Sequence, residues 1–219
     1  MRRGARRFRV RAAVAGLTLA TAVVLAPAAF AQQTPSAGDA KRGKVLSYTC
    51  LGCHGIADYK NAYPEYSVPK LQGQNPEYLA AALRGYRDGD RSHLTMHDQA
   101  STLSDQDISD IAVFFAGKPL VPSGKAQGPV PQAAQLCTSC HGQDGVAIAP
   151  LYPSLAGQHP DYLVRSLEEY KKGGRNNPVM KGFAANLKAE DMAVIAQFFS
   201  SLSPALHTEP RRYTILTAE

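Results

Sequence analysis

Cys50-Leu-Gly-Cys53-His54 and Cys137-Thr-Ser-Cys140-His141 are the two stretches that decide how this 219-residue chain is built. A cysteine pair with two residues between, followed at once by histidine, is the attachment signature of a c-type haem, and two copies imply two haems. The spacing has a mechanical reason. Thiols so separated sit on one turn of backbone, where both can form thioethers to the vinyl groups of one porphyrin. The next histidine is then held beneath the iron as an axial ligand. Zinc sites of four cysteines, thioredoxin-like redox pairs and disulfide frameworks also use such cysteines. None of them needs a histidine directly after each second cysteine. All four cysteines of the chain are used in this way, which leaves no thiol for other chemistry.

The N-terminus supplies an export context. Residues 1–11 carry six arginines and no acid, an apolar run extends from Ala12 to Ala29, and Ala29-Phe30-Ala31 ends it. Basic head, apolar body and small-x-small end describe a secretory signal peptide over residues 1–31, cleaved after Ala31, with periplasmic delivery as the expected destination. An uncleaved anchor is the competing reading. Cleavage removes six of the 24 basic residues and leaves 18 against 18 acidic ones. The mature chain is then neutral by this count, and the formal +6 of the whole chain is no argument for a nucleic-acid partner.

Outward from the cysteine motifs runs an internal repeat. Leu71-Gln-Gly-Gln-Asn-Pro-Glu-Tyr78-Leu79 matches Leu155-Ala-Gly-Gln-His-Pro-Asp-Tyr162-Leu163, and Tyr86…Gly89…Arg91 matches Tyr170…Gly173…Arg175 at the same offset. The expected organisation is a first domain over 32–118, a Pro/Gly-rich linker over 119–131, a second domain over 132–203 and a tail over 204–219. Cores this small are marginal alone, so each haem is expected to supply much of its own domain's interior.

Each half reads as helical. Asn75-Pro76 predicts an N-cap and first helical residue of a helix running to about Tyr86, with its equivalent from His159-Pro160 to near Gly173. Ser104-Asp-Gln-Asp107 predicts a capping box for a helix ending at Phe115, with a partner from about Ala189 to Leu202. A helix from about Asp39 leads into Cys50, and its counterpart before Cys137 is expected to be shorter, limited by prolines. No stretch alternates as a strand would. The fold class is all-α.

A haem with one histidine ligand needs a sixth ligand or an open site. Met96 and Met180 stand 7 residues before Leu103 and Leu187 and 11 before Asp107 and Asp191, the same slot in each half. His93 and His97 compete for the first iron, but the second half holds Asn177 and Lys181 in those slots. Repeat position therefore favours the methionines. Met192 aligns with Ile108 inside a helix and reads as core, while His159 and His207 do not read as ligands. Tyr86/Tyr170 and Arg91/Arg175, paired by the repeat, could face haem propionates or only support the fold.

Over residues 38–203 the chain resembles the cytochrome c4 family, dihaem electron carriers of two tandem class I cytochrome c domains. The resemblance rests on both cysteine–histidine motifs, on Pro69–Gln74 and Pro153–Gln158, and on Pro178-Val-Met180-Lys-Gly182-Phe-Ala. It implies two covalently attached haem c groups, thioethers at Cys50, Cys53, Cys137 and Cys140, and axial pairs His54/Met96 and His141/Met180. It also implies that the Pro69 and Pro153 carbonyls accept a hydrogen bond from the proximal histidines. Expected partners are a quinol–cytochrome c oxidoreductase as donor and a terminal haem–copper oxidase as acceptor, with peripheral membrane association. The implied activity is electron carriage, not catalysis. The alternatives are a peroxidase-like or thiosulfate-oxidising dihaem enzyme and a fixed relay subunit of a respiratory complex. The chain departs from the family pattern at Leu94-Thr95 before the first methionine, at Val130 where the first half has Gly43, and in the unrepeated tail.

Overall fold

The structure is a computed structural model that describes residues 37–210. The signal-peptide reading (1–31) and the end of the tail from Arg211 onward lie outside the described residues. Among those residues the regular elements are helices; no sheet forms, and strand-like pairing is confined to isolated bridges.

The first half opens with α1 (Ala40–Leu46) and the one-turn α2 (Leu51–His54). It continues with α3 (Pro76–Arg87), α4 (Leu94–Ala100) and α5 (Asp105–Ala116). Asp39 caps α1, its carboxylate accepting from the Lys41 and Arg42 amides. At Ser104 and Asp107 the capping box forms as the sequence predicts, each side chain accepting from the other's backbone N–H. α1 and α3 both pack on α5, and Leu79, Ile108, Ile111 and Phe115 form the core. The approach of α1 depends on Gly43: a Cβ there would lie 2.0 Å from the Asp110 carbonyl oxygen. Asp110, itself buried, then takes the Asp39 amide at 2.7 Å and the Arg42 guanidinium.

The second half repeats this plan with α6 (Thr138–His141), α7 (Pro160–Lys172), α8 (Pro178–Ala184) and α9 (Ala189–Ser200). Its core joins Leu163, Leu167, Met192, Ile195 and Phe199, so Met192 is interior packing. The counterpart of α1 is reduced to a single 3₁₀ turn, Gln132–Ala134. Val130, between two prolines, stands where Gly43 would allow a close helix approach. The connecting segment is irregular and mostly exposed, yet it is pinned. Buried Asp144 accepts from the Ser123 amide at 2.5 Å, the Ser123 hydroxyl at 2.6 Å and the Gly124 amide at 3.2 Å.

Two expectations need correction. Asn75 and His159 occupy N-cap positions by backbone, but neither side chain caps its helix. Asn75 Nδ2 instead donates to the Tyr152 carbonyl of the other half at 2.9 Å. The Met96 and Met180 segments, to which the sequence reading assigns no helix, are the short helices α4 and α8. Their cap residues are His93 and Asn177, which accept from the Met96 and Met180 amides at 3.3 and 3.0 Å. The start of the tail also docks: Leu206 is buried, its amide bonds the Ala156 carbonyl at 2.8 Å, and His207 pairs by backbone with Gln72 of the first half.

Candidate haem sites

In the first half one cleft gathers Cys50, Cys53, His54 and Met96 between walls of Leu71, Leu79, Leu83, Ile111 and Phe115. α2 presents the two cysteines and the histidine, α4 presents the methionine, and α3 and α5 supply the floor. The His54 Nδ1 lies 3.0 Å from the Pro69 carbonyl oxygen, so Nδ1–H is the donor and Nε2 keeps the lone pair for a metal. Burial holds the His54 pKa below the usual imidazole value, against a smaller upward pull from that carbonyl. A neutral ring with one nitrogen engaged is what a metal-ligating histidine requires.

The second half repeats the histidine contact. His141 Nδ1 lies 2.8 Å from the Pro153 carbonyl oxygen, and burial again lowers its pKa. Phe115 and Phe199 stand edge-on to His54 and His141 at centroid distances of 6.1 and 6.3 Å. Cys137 and Met180 pack against the same core cluster.

The donor chemistry suits a covalently held iron porphyrin and not the competing readings. No disulfide links the four cysteines. Among the described residues no group of three or more His, Cys, Asp or Glu side chains is placed to hold a metal by itself. Burial pushes the Cys50 and Cys137 thiols up, opposite to the depressed thiol of a redox pair. An apolar cleft with two thiols, one oriented imidazole and one thioether fits a flat, largely apolar ring attached at its edge.

The competing ligands are separated by place in one case and by tautomer in the other. His97 is exposed and is not among the residues that line the cleft; its Nδ1–H donates to the Tyr86 carbonyl oxygen at 2.8 Å, so its place and not its tautomer sets it apart from His54. His93 does line the cleft, but its Nδ1 accepts from the Met96 amide as the α4 cap, which leaves the proton of the neutral ring on Nε2 and no lone pair there for a metal; its ring stands edge-on to Tyr66 and Tyr86. Sequence reading missed Tyr66, a wall of the same cleft whose hydroxyl burial pushes up to about 12, and Tyr162, which reaches the first-half cleft from the second half. It also missed what Gln74 and Gln158 do. Gln158 Oε1 accepts from the Lys70 amide at 3.0 Å while its Nε2 donates to the Lys70 carbonyl at 2.9 Å. Reciprocally, Gln74 Oε1 accepts from the Ser154 amide at 2.8 Å and Nε2 donates to the Ser154 carbonyl at 2.9 Å. The signal was present in the sequence as a glutamine repeated at a fixed offset, but nothing local says that it reaches across.

The cytochrome c family profile matches twice, over residues 40–116 and 131–203. Cytochrome c4 of Pseudomonas aeruginosa is 35% identical, the match covering 76% of this chain and 90% of that protein. The structure of reduced recombinant cytochrome c4 from Pseudomonas stutzeri superposes with a TM-score of 0.59 at 30% identity, covering 76% of this chain and all of the other. A thiosulfate dehydrogenase electron acceptor from Thiomonas intermedia is 27% identical over 89% of this chain and 94% of its own length.

Proposed function

Since the chain belongs to the cytochrome c family, as a dihaem electron-transfer protein of the cytochrome c4 kind, we propose that it works in the periplasm as a shuttle. It takes electrons from a quinol–cytochrome c oxidoreductase and delivers them to a terminal haem–copper oxidase. Bound haem c supplies the ferric/ferrous couple. Cys50 and Cys53, and Cys137 and Cys140, are the tethering residues. His54 with Met96, and His141 with Met180, would hold the two irons. A thioether together with an imidazole would raise the potential of a bound haem, and with both residues engaged no site would stay open to a small substrate.

The observation that carries this reading is the gathering of Cys50, Cys53, His54 and Met96 in one apolar cleft, with His54 oriented by Pro69. Exposed Leu94, Leu136, Ile148 and Val179, on or beside the segments that carry the site residues, suit close approach of a partner. Arg91, on the cleft wall, has a guanidinium suited to a haem propionate. Among the described residues no helix is long and apolar enough to cross a membrane.

A second reading, delivery of electrons from a thiosulfate-oxidising enzyme, is favoured by the Thiomonas relative. Reduction of the purified holoprotein by each class of donor separates the two. The whole proposal is tested by the mass of the exported protein with its optical titration. Two covalent haems, no signal peptide and two one-electron waves at positive potential are expected. Strongly negative waves would remove the methionine assignment.

A further inference from the structure

We propose that Gln158 and Gln74 are positioning residues for the proximal histidines of the opposite halves, each acting through one shared peptide group. The inference rests on His54 and His141 being the iron ligands. The peptide between Pro69 and Lys70 is a single planar, resonance-coupled unit. Its carbonyl oxygen takes the His54 Nδ1–H at 3.0 Å, and its N–H donates to Gln158 Oε1 at 3.0 Å. The peptide between Pro153 and Ser154 is bonded the same way, to His141 at 2.8 Å and to Gln74 at 2.8 Å.

Each carboxamide closes a two-bond ring on one backbone residue, because Nε2 also donates to the Lys70 or Ser154 carbonyl at 2.9 Å. Gln74 and Gln158 are 3% and 4% exposed, so water does not replace them. Each oxygen additionally accepts from the amide of the next residue in sequence, Asn75 at 3.0 Å and His159 at 3.1 Å, which fixes the amide orientation.

Two consequences follow. The ring holds the proline carbonyl in place, and with it the plane of the imidazole. Withdrawing the peptide proton toward Oε1 also polarises the same peptide's carbonyl, since hydrogen bonds in a chain strengthen one another. A stronger acceptor on Nδ1–H makes the imidazole more basic toward iron and favours the ferric state. The second half thus tunes the first haem, and the first half tunes the second. A clamp that merely joined the halves would show no such crossing.

The experiment uses the full-length holoprotein with both haem potentials resolved. Gln158→Met fills the space without either hydrogen bond; Gln158→Glu keeps an oxygen for the Lys70 N–H. The Met variant should raise the first haem's potential by up to one decade in its redox equilibrium, about 59 mV for one electron, and move the second haem less. The Glu variant should leave the first potential at or below that of the wild type, and Gln74→Met should raise the second. The proton resonances of the two Nδ1–H groups should shift in the same crossed pattern. Equal movement of both haems, movement of the haem in the mutated half alone, or a rise with Glu matching that with Met would overturn the proposal. If His54 or His141 is not a ligand, the wild type already lacks the corresponding Nδ1–H resonance near a haem, before any variant is made.

Discussion

Arg91 and Arg175 face each other across an antiparallel backbone bridge, each guanidinium lying over two tyrosine rings of its own half. Arg91 stands 5.4 Å from the Tyr78 ring and 5.5 Å from Tyr86, and Arg175 stands at the same distances from Tyr162 and Tyr170. The relationship breaks its symmetry in one place. Glu169 holds Arg175 at 2.7 Å in a buried pair, whereas the corresponding position of the first half is Gly85.

Arg175→Leu should therefore cost more than Arg91→Leu. Removing one member of a buried pair leaves the other desolvated, about 3 kcal/mol, partly relieved because Arg165 also binds Glu169 at 2.8 Å. Urea midpoints of the two variants check the ordering, and equal midpoints would refute it.

Met180→His should lower the second haem's potential while leaving the first near its wild-type value, because imidazole replaces thioether on one iron. Loss of half of the sulfur–iron absorption band in the oxidised protein is the accompanying signature. An unchanged band would show that Met180 is not a ligand.

Asn177→Ala removes the acceptor for the Met180 amide and should cost about 1 kcal/mol, concentrated in the short helix α8. Hydrogen exchange at Met180 and Lys181 should quicken first. Exchange spread evenly over the second half would contradict a local cap.

Gly43→Ala should destabilise the first half by about 1–3 kcal/mol, since its Cβ meets the Asp110 carbonyl and forces α1 away from α5. Gly182→Ala is the control: beyond its chain neighbours and its own helix backbone nothing lies within 4 Å of the added carbon, and alanine is the better helix former. Thermal denaturation should separate them by sign.

Asp161 couples pH to the contact between halves. Its pKa is lowered although burial, the largest influence, raises it; hydrogen bonds from the Ser67 hydroxyl and amide and the Tyr162 amide outweigh burial. A depressed carboxylate contributes stability that is fully present above its unfolded value of about 3.9. That contribution is lost as pH falls through the lower folded value. Acid titration of unfolding in wild type and Asp161→Asn should show the difference vanish well below pH 4. A difference constant to the lowest pH would exclude the coupling.

Much of the molecule was legible in one dimension because its determinants are local. The cysteine–histidine motifs, the Ser104/Asp107 box and the proline that opens α3 each act within four residues. Methionine was assigned by its register in the repeat, which survives a difference in loop length between the halves. The short helices α4 and α8 escaped notice. Seven residues give too little periodicity, and His93 is an unusual cap whose role is visible only beside Asn177.

What the linear order could not settle is which half each repeated polar residue serves. Gln74, Asn75 and Asp161 sit in segments that read as complete within their own domain, yet their side chains bond backbone or hydroxyl groups 77 to 94 residues away. Motif spacing specified the haem attachments and the helices, since covalent and i-to-i+4 constraints act over a few bonds. Only packing two halves face to face decided the reciprocal partners: buried amides and carboxylates must find hydrogen bonds wherever the fold brings them, and here it brings them to the other half.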